Sequence, residues 1–258
     1  MFDMLDTGLN LYSVRNLIQS EDGLLKTTLA LKDMGYRYLQ YSGAPFDHAA
    51  IKRVSEKTGV PFVLTHVPMD RIVGDTEKLM EEHAAFGCRN IGLGAMPAKI
   101  IADEAALKET VEKLERAGET MAKNGFKFFY HNHHMEFFRH GGETVLDYII
   151  RTAPHINFTL DTYWVQYGGG DLYDVIEKLD GRIGCVHLKD YKIVRTGDNS
   201  FAPQFAPVGD GNIDFIKVVA LMKKKGTEYF FVEQDNAAET DDPLGQVGRS
   251  AEYIKKTF

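Results

Sequence analysis

Only two cysteines, Cys88 and Cys185, occur in the 258 residues. That is too few for a disulfide framework at this size, and the scarcity points to a reducing compartment. No stretch approaches the roughly 20 consecutive apolar residues of a membrane helix, so neither a membrane span nor a membrane partner is expected. The opening MFDMLDTGLN carries neither the basic end nor the apolar run of a secretion signal, and a cytoplasmic protein is the expectation. Positive charge is in deficit: 30 Lys plus Arg against 37 Asp plus Glu leave a formal net charge of −7. A protein that binds by neutralising nucleic-acid phosphates has the opposite balance, so nucleic acid is not an expected partner. No low-complexity tract, charge block or Pro/Gly/Ser-rich linker divides the chain, which predicts one domain over residues 1–258.

What is present is an alternation of short β-rich runs with longer helical patterns. The runs cover residues 8–14, 36–42, 61–67, 90–96, 127–133, 157–164, 183–190 and 229–235. Between them, apolar residues recur at helical spacing, most clearly at Leu107, Val111, Leu114 and Met121. Asp103 is the expected N-cap of that helix and Gly125 its stop signal. Asp242 and Pro243 open a final helix with Leu244, Val247, Ala251 and Ile254 as its stripe. Eight βα units in about 250 residues is the arithmetic of a closed (β/α)8 TIM barrel, an α/β fold. No GxGxxG follows the first run, which disfavours a dinucleotide-binding open sheet.

In such a barrel the active site gathers at the C-terminal ends of the strands. The polar residues there are Tyr12, Ser13 and Arg15, then Gln40 and Ser42, then His66, then the run Tyr130 to Phe137. Asp161, Tyr163 and Trp164 follow, with His187, Lys189 and Asp190, and last Glu233, Gln234 and Asp235. Asp161, His187 and Glu233 each sit inside an apolar run, and a buried carboxylate costs several kcal/mol unless a cation compensates it. A divalent metal is the strongest compensator, and mixed His and carboxylate donors suit manganese, zinc, cobalt or magnesium. The competing reading is a salt-bridge network in which Lys189 or Arg15 neutralises the acids. His131, His133 and His134 crowd the end of the fifth run, where one could bind metal and another act as a base.

At these residues the sequence resembles the xylose-isomerase-like sugar phosphate isomerase/epimerase superfamily. The matching pieces are LNLYSVR at 9–15, YHNHHMEF at 130–137, LDTYW at 160–164, VHLKD at 186–190, PVGDGNIDF at 207–215 and FVEQD at 231–235. The resemblance implies a (β/α)8 barrel with one divalent metal at its mouth, Mn2+ first among Mn2+, Zn2+, Co2+ and Mg2+. It also implies ligands from the last four strands, with Asp161, His187 and Glu233 on three of them. The chain is most similar to the HNHxxE-type branch of inosose dehydratases and keto-glycoside lyases. There Glu136 supplies the fifth-strand ligand, with His131 as its competitor, and His133 lies near the reacting carbon.

The expected chemistry is proton abstraction next to the carbonyl of a sugar or keto-sugar. His133, or else His131, takes the proton. Glu233 handles a proton, and Lys189 orients a sugar oxygen or balances the acids. Tyr12, His66, Trp164 and Lys189 are the expected substrate contacts. Return of the proton gives an isomerase or epimerase; loss of a β-substituent gives a lyase. No Arg/Lys cluster marks a phosphate clamp, and the Gly209/Gly211 turn reads as structural rather than as an anion nest. The rivals are an apurinic-site endonuclease and a non-catalytic sugar-binding barrel. The small-molecule partner is a sugar, and homo-oligomerisation is left open.

Overall fold

The computed structural model describes residues 5–258. Eight parallel strands close into a barrel, each paired with its sequence neighbours and the first with the eighth. They run Gly8–Asn10, Tyr38–Tyr41, Phe62–His66, Asn90–Leu93, Lys127–His131, Ile156–Asp161, Cys185–Leu188 and Tyr229–Val232. Closure is made where Gly8 lies opposite both Phe231 and Tyr38. The TIM barrel expected from the alternation is the architecture observed, with helices between the strands. No helix of the described residues is long and apolar enough to cross a membrane.

The helices form where their end signals stand. Glu104–Lys123 opens on Asp103, whose carboxylate accepts from the Ala106 amide at 2.9 Å, and it buries Leu107, Val111, Leu114 and Met121 against the barrel. Pro243–Thr257 opens the same way on Asp242, with proline in its first turn.

The strands stop earlier than the β-rich runs do. After Asn10 the chain enters the 3-10 helix Leu11–Leu17, because the Asn10 side chain accepts from the Tyr12 amide and caps it. Asp161 ends the sixth strand and caps Thr162–Tyr167, accepting from the Trp164 amide at 3.0 Å. Trp164 therefore projects from a helical turn and not from a strand.

Below the mouth the barrel is plugged by Tyr38, Leu64, Phe129, Cys185 and Phe231. Side chains on a strand alternate between faces, so the residues two further along each of these strands point into the same interior. Those are Gln40, His66, His131, His187 and Glu233, and Asp161 follows Thr159 in the same way. The apolar plug thus floors a polar layer one pleat above it.

Two hairpins extend the mouth: Arg139–His140 with Glu143–Thr144 after the fifth strand, and Asp190–Gly197 with Ser200–Ala206 after the seventh. Asp190 anchors the second. Its carboxylate accepts from the amides of Tyr191, Gly209, Gly211 and Ile213. The glycine turn is therefore wrapped around this chain's own acid, and a Cβ on Gly211 would lie 2.2 Å from it.

Two outcomes follow from this packing. A Cβ on Gly8 would lie 2.3 Å from the Tyr38 ring, so Gly8→Ala should lower stability by ~1–3 kcal/mol through overpacking. Urea unfolding measures this, and an unchanged midpoint would show that the plug yields freely. Burial pushes the Cys88 thiol up to about 12 and that of Cys185 well above its ordinary value. Because the thiolate is the reactive form, neither should react with a disulfide reagent at pH 8 in the native protein, and both should react in denaturant. Prompt native labelling of either would contradict the burial.

Candidate metal centre and active site

Four side chains from four strands converge on one space. His131, Asp161, His187 and Glu233 each turn a donor atom to it, the four atoms lying within 4.8 Å of one another, all in buried residues. His187 Nδ1 is 2.7 Å from Glu233 Oε2 and 3.1 Å from His131 Nε2, which is 3.3 Å from Asp161 Oδ2.

The remote nitrogens of both imidazoles are engaged. His131 Nδ1 donates to the Gly94 carbonyl at 2.8 Å, and His187 Nε2 donates to Gln40 Oε1 at 2.8 Å. A carbonyl oxygen only accepts, so each ring carries a proton on its far side. The outer oxygens of the acids are held as well. Asn10 Nδ2 donates to Glu233 Oε1 at 2.7 Å, and the Trp164 amide donates to Asp161 Oδ1. What remains facing inward is a set of nitrogen and carboxylate donors, including Glu233 Oε2, a buried oxygen contacted by the His187 and Lys189 nitrogens.

Charge balance points the same way. Lys189 lies at the cluster's edge, 1% exposed, its Nζ 3.2 Å from Asp161 Oδ2, 3.2 Å from Glu233 Oε2 and 2.9 Å from Asp235 Oδ1. Burial disfavours its charge, yet the three carboxylates outweigh burial and hold it protonated. Burial also opposes ionisation of Asp161 and Glu233. For Asp161, Lys189 and the imidazoles prevail; for Glu233, His187 and Lys189 do, and both acids sit below their ordinary values. One lysine against three acids leaves negative charge uncovered. Burial alone would strip His187 of its proton, but Glu233 and Asp161 push its pKa up to about 9. The acids draw a proton onto the imidazole where a divalent cation would supply the charge instead. These donors, at these separations, fit such an ion.

The other expected residues distribute unevenly. Glu136 stands apart from the cluster. It sits in the short 3-10 turn Met135–Phe137, where Tyr130 Oη donates to its Oε1 at 2.7 Å and the His133 amide to its Oε2 at 2.8 Å. Tyr130 points to the face of the fifth strand opposite His131, packing on Phe158. Glu136 is therefore drawn behind the strand, and of the two fifth-strand candidates it is His131, not Glu136, whose side chain joins the group.

His133 lies against His131 and Trp164, with ring centroids 4.6 Å and 5.4 Å away, and its Nδ1 is buried without a partner. Burial and then His131 lower its pKa to about 3. Trp164 lies over the Lys189 ammonium at 5.1 Å, and Phe205 of the long hairpin lies over the same ammonium at 5.4 Å. His66 packs face to face on His131 and accepts from Gln40 Nε2 at 2.9 Å. Tyr12 stands at the rim under the Arg15 guanidinium. Arg15 itself bonds the Tyr12 and Asp235 carbonyls and pairs with Glu239. Of the two cations proposed as neutralisers, Lys189 reaches the buried acids and Arg15 does not.

Sequence reasoning named Gln40 and Asp235 among the polar strand-end residues without giving them a role, and it gave none to Asn10 or Gly94. Asn10 could have been found by the same strand-end signal. Gly94 carries no such signal, because it contributes a backbone oxygen.

Residues 29–257 match the profile of the xylose isomerase-like TIM barrel family. An inosose dehydratase of Geobacillus thermodenitrificans is 31% identical over 159 residues, 57% of this chain and 53% of that protein, so the match spans about half of that relative. One of Clostridium tetani is 26% identical over 98% of this chain and 87% of its own length. A crystal structure of a sugar phosphate isomerase/epimerase from Parabacteroides distasonis superposes with a TM-score of 0.79 at 22% identity, over 97% of this chain and 93% of that one. With this match over most of its length and the closed barrel described above, the chain belongs to the xylose isomerase-like TIM barrel family.

Proposed function

We propose that this protein is a divalent-metal-dependent sugar isomerase or epimerase that removes a proton next to the carbonyl of a sugar or keto-sugar. The observation that carries this reading is the buried His131, Asp161, His187 and Glu233 group with the unpartnered His133 Nδ1 beside it. A divalent cation held by those four residues would supply Lewis-acid stabilisation of negative charge developing on a substrate oxygen.

The chain's own groups do the rest. His133 accepts the proton, with its ring held between His131 and Trp164. Lys189, fixed by three carboxylates, orients a sugar oxygen at the edge of the cluster. Trp164 and Phe205 wall off that edge from water, which strengthens each charge interaction behind them. Glu233 handles a proton from its place in the four-residue group. Tyr12 and His66 line the rim and the early-strand side. Return of the proton to a different position gives the isomer or epimer. A second reading, favoured by the inosose dehydratase relatives, is loss of a β-substituent from the same carbanion-like state, a lyase reaction. An inosose is thus the first keto-polyol to assay.

Chelator-stripped protein should take up one equivalent of Mn2+, Zn2+, Co2+ or Mg2+ in a calorimetric titration. Asp161→Asn and His187→Ala should weaken that binding by more than ~100-fold, beyond the loss on removing an outer partner, and Glu136→Gln should change it little. A parent protein that takes none of these ions overturns the reading. In D2O, the loaded enzyme with its keto-sugar should incorporate deuterium at a carbon α to the carbonyl. His133→Ala should slow that exchange by ~10²–10⁴-fold with cation binding retained. Ligand bound without exchange at any α carbon would rule out proton abstraction; a recovered isomer or an unsaturated product separates the two branches.

A further inference from the structure

Gln40 lies fully buried on the second strand, a neutral amide facing a cluster of ions. Buried amides are satisfied at both ends, and this one joins two histidines. Its Oε1 accepts from His187 Nε2 at 2.8 Å, and its Nε2 donates to His66 Nε2 at 2.9 Å. His66 then carries its proton on Nδ1, 3.4 Å from Ser42 Oγ. The His66 ring reaches this place because the fourth strand and its continuation supply glycine twice. A Cβ on Gly92 would lie 2.9 Å from the ring, and one on Gly94 would lie 3.0 Å from its Nδ1.

The orientation of the amide has a consequence at the cluster. With the oxygen toward His187, that ring keeps its proton on Nε2 and can open the Nδ1 lone pair toward His131, Asp161 and Glu233. Were the amide reversed, its NH2 would face His187 Nε2 and demand an acceptor there. The neutral ring's proton would move to Nδ1 and point into the space the four donors share, 3.1 Å from His131 Nε2. His131 needs no such device, since the Gly94 carbonyl can only accept.

We infer that Gln40 is a positioning residue for cation binding: through its carbonyl oxygen it fixes the tautomer and ring orientation of His187. His66 holds the amide in that sense from the third strand. The second and third strands supply none of the four donors, yet through this chain they orient one of them. The inference rests on the cation reading above.

Calorimetry with Mn2+ on the parent, Gln40→Leu and Gln40→Glu tests it, together with 15N NMR of the Zn2+-loaded proteins and thermal unfolding of the metal-free ones. Gln40→Leu should bind Mn2+ 10–100-fold more weakly, whereas Gln40→Glu, which keeps an acceptor for His187, should stay within roughly threefold of the parent. The parent and Gln40→Glu should show a slowly exchanging imidazole N–H at His187 Nε2 that Gln40→Leu loses. If Gln40→Leu binds Mn2+ as the parent does, or differs only in thermal stability, the inference fails while the cation reading stands. A Zn2+-loaded parent whose His187 carries its single proton on Nδ1 overturns it without any variant. A parent that binds no cation removes both readings together.

Discussion

The whole mouth of the barrel is organised by the cost of keeping two carboxylates ionised away from water. Asp161 and Glu233 are buried residues, and each such charge costs several kcal/mol unless it is matched. Lys189 matches part of it and is itself buried to do so. The remainder falls on His187, which is drawn toward protonation, and on the space between the four donors, which suits a divalent ion. Most neighbouring polar contacts serve this one requirement. Asn10 holds the outer oxygen of Glu233, Gln40 and Gly94 hold the far nitrogens of the imidazoles, and the Trp164 amide holds the outer oxygen of Asp161.

The barrel makes such an arrangement affordable by layering. The plug of Tyr38, Leu64, Phe129, Cys185 and Phe231 floors the mouth with buried, largely apolar side chains, and the pleat sets the polar residues directly above it. On one side the wall is aromatic, because the hairpin after the seventh strand brings Tyr191 and Phe205 onto Tyr163, and Phe205 onto Trp164 as well. In such surroundings charges interact more strongly than in water. That is useful to a reaction which develops charge on a substrate oxygen.

Much of this was legible in the residues. A carboxylate within Leu160-Asp161-Thr162 or Val232-Glu233-Gln234 contradicts its apolar surroundings, and the contradiction marks a site. Asp103 and Asp242 announced their helices because capping is local chemistry. Other features were not legible, for identifiable reasons. The β-rich runs overshoot the strands, since side chains at a strand end can cap a turn, as Asn10 and Asp161 do. His131 and Glu136 are separated by where the chain turns after the fifth strand, and that turn takes Glu136 to the outer face beside Tyr130. Spacing alone left either residue eligible. The Gly209 and Gly211 amides meet Asp190, nineteen residues or more away, which a local reading of the turn does not reveal.

The sequence by itself determined the number of βα units, the helix starts and the three strands whose ends carry buried acid or imidazole, because periodicity, capping and the cost of burying charge act along the chain. Only the tertiary structure decided which fifth-strand residue joins Asp161, His187 and Glu233, and which way each imidazole presents its lone pair. Those choices depend on partners such as Tyr130, Gly94 and Gln40, several of them distant in sequence and all brought to their places by closure of the barrel or the turn at a strand's end.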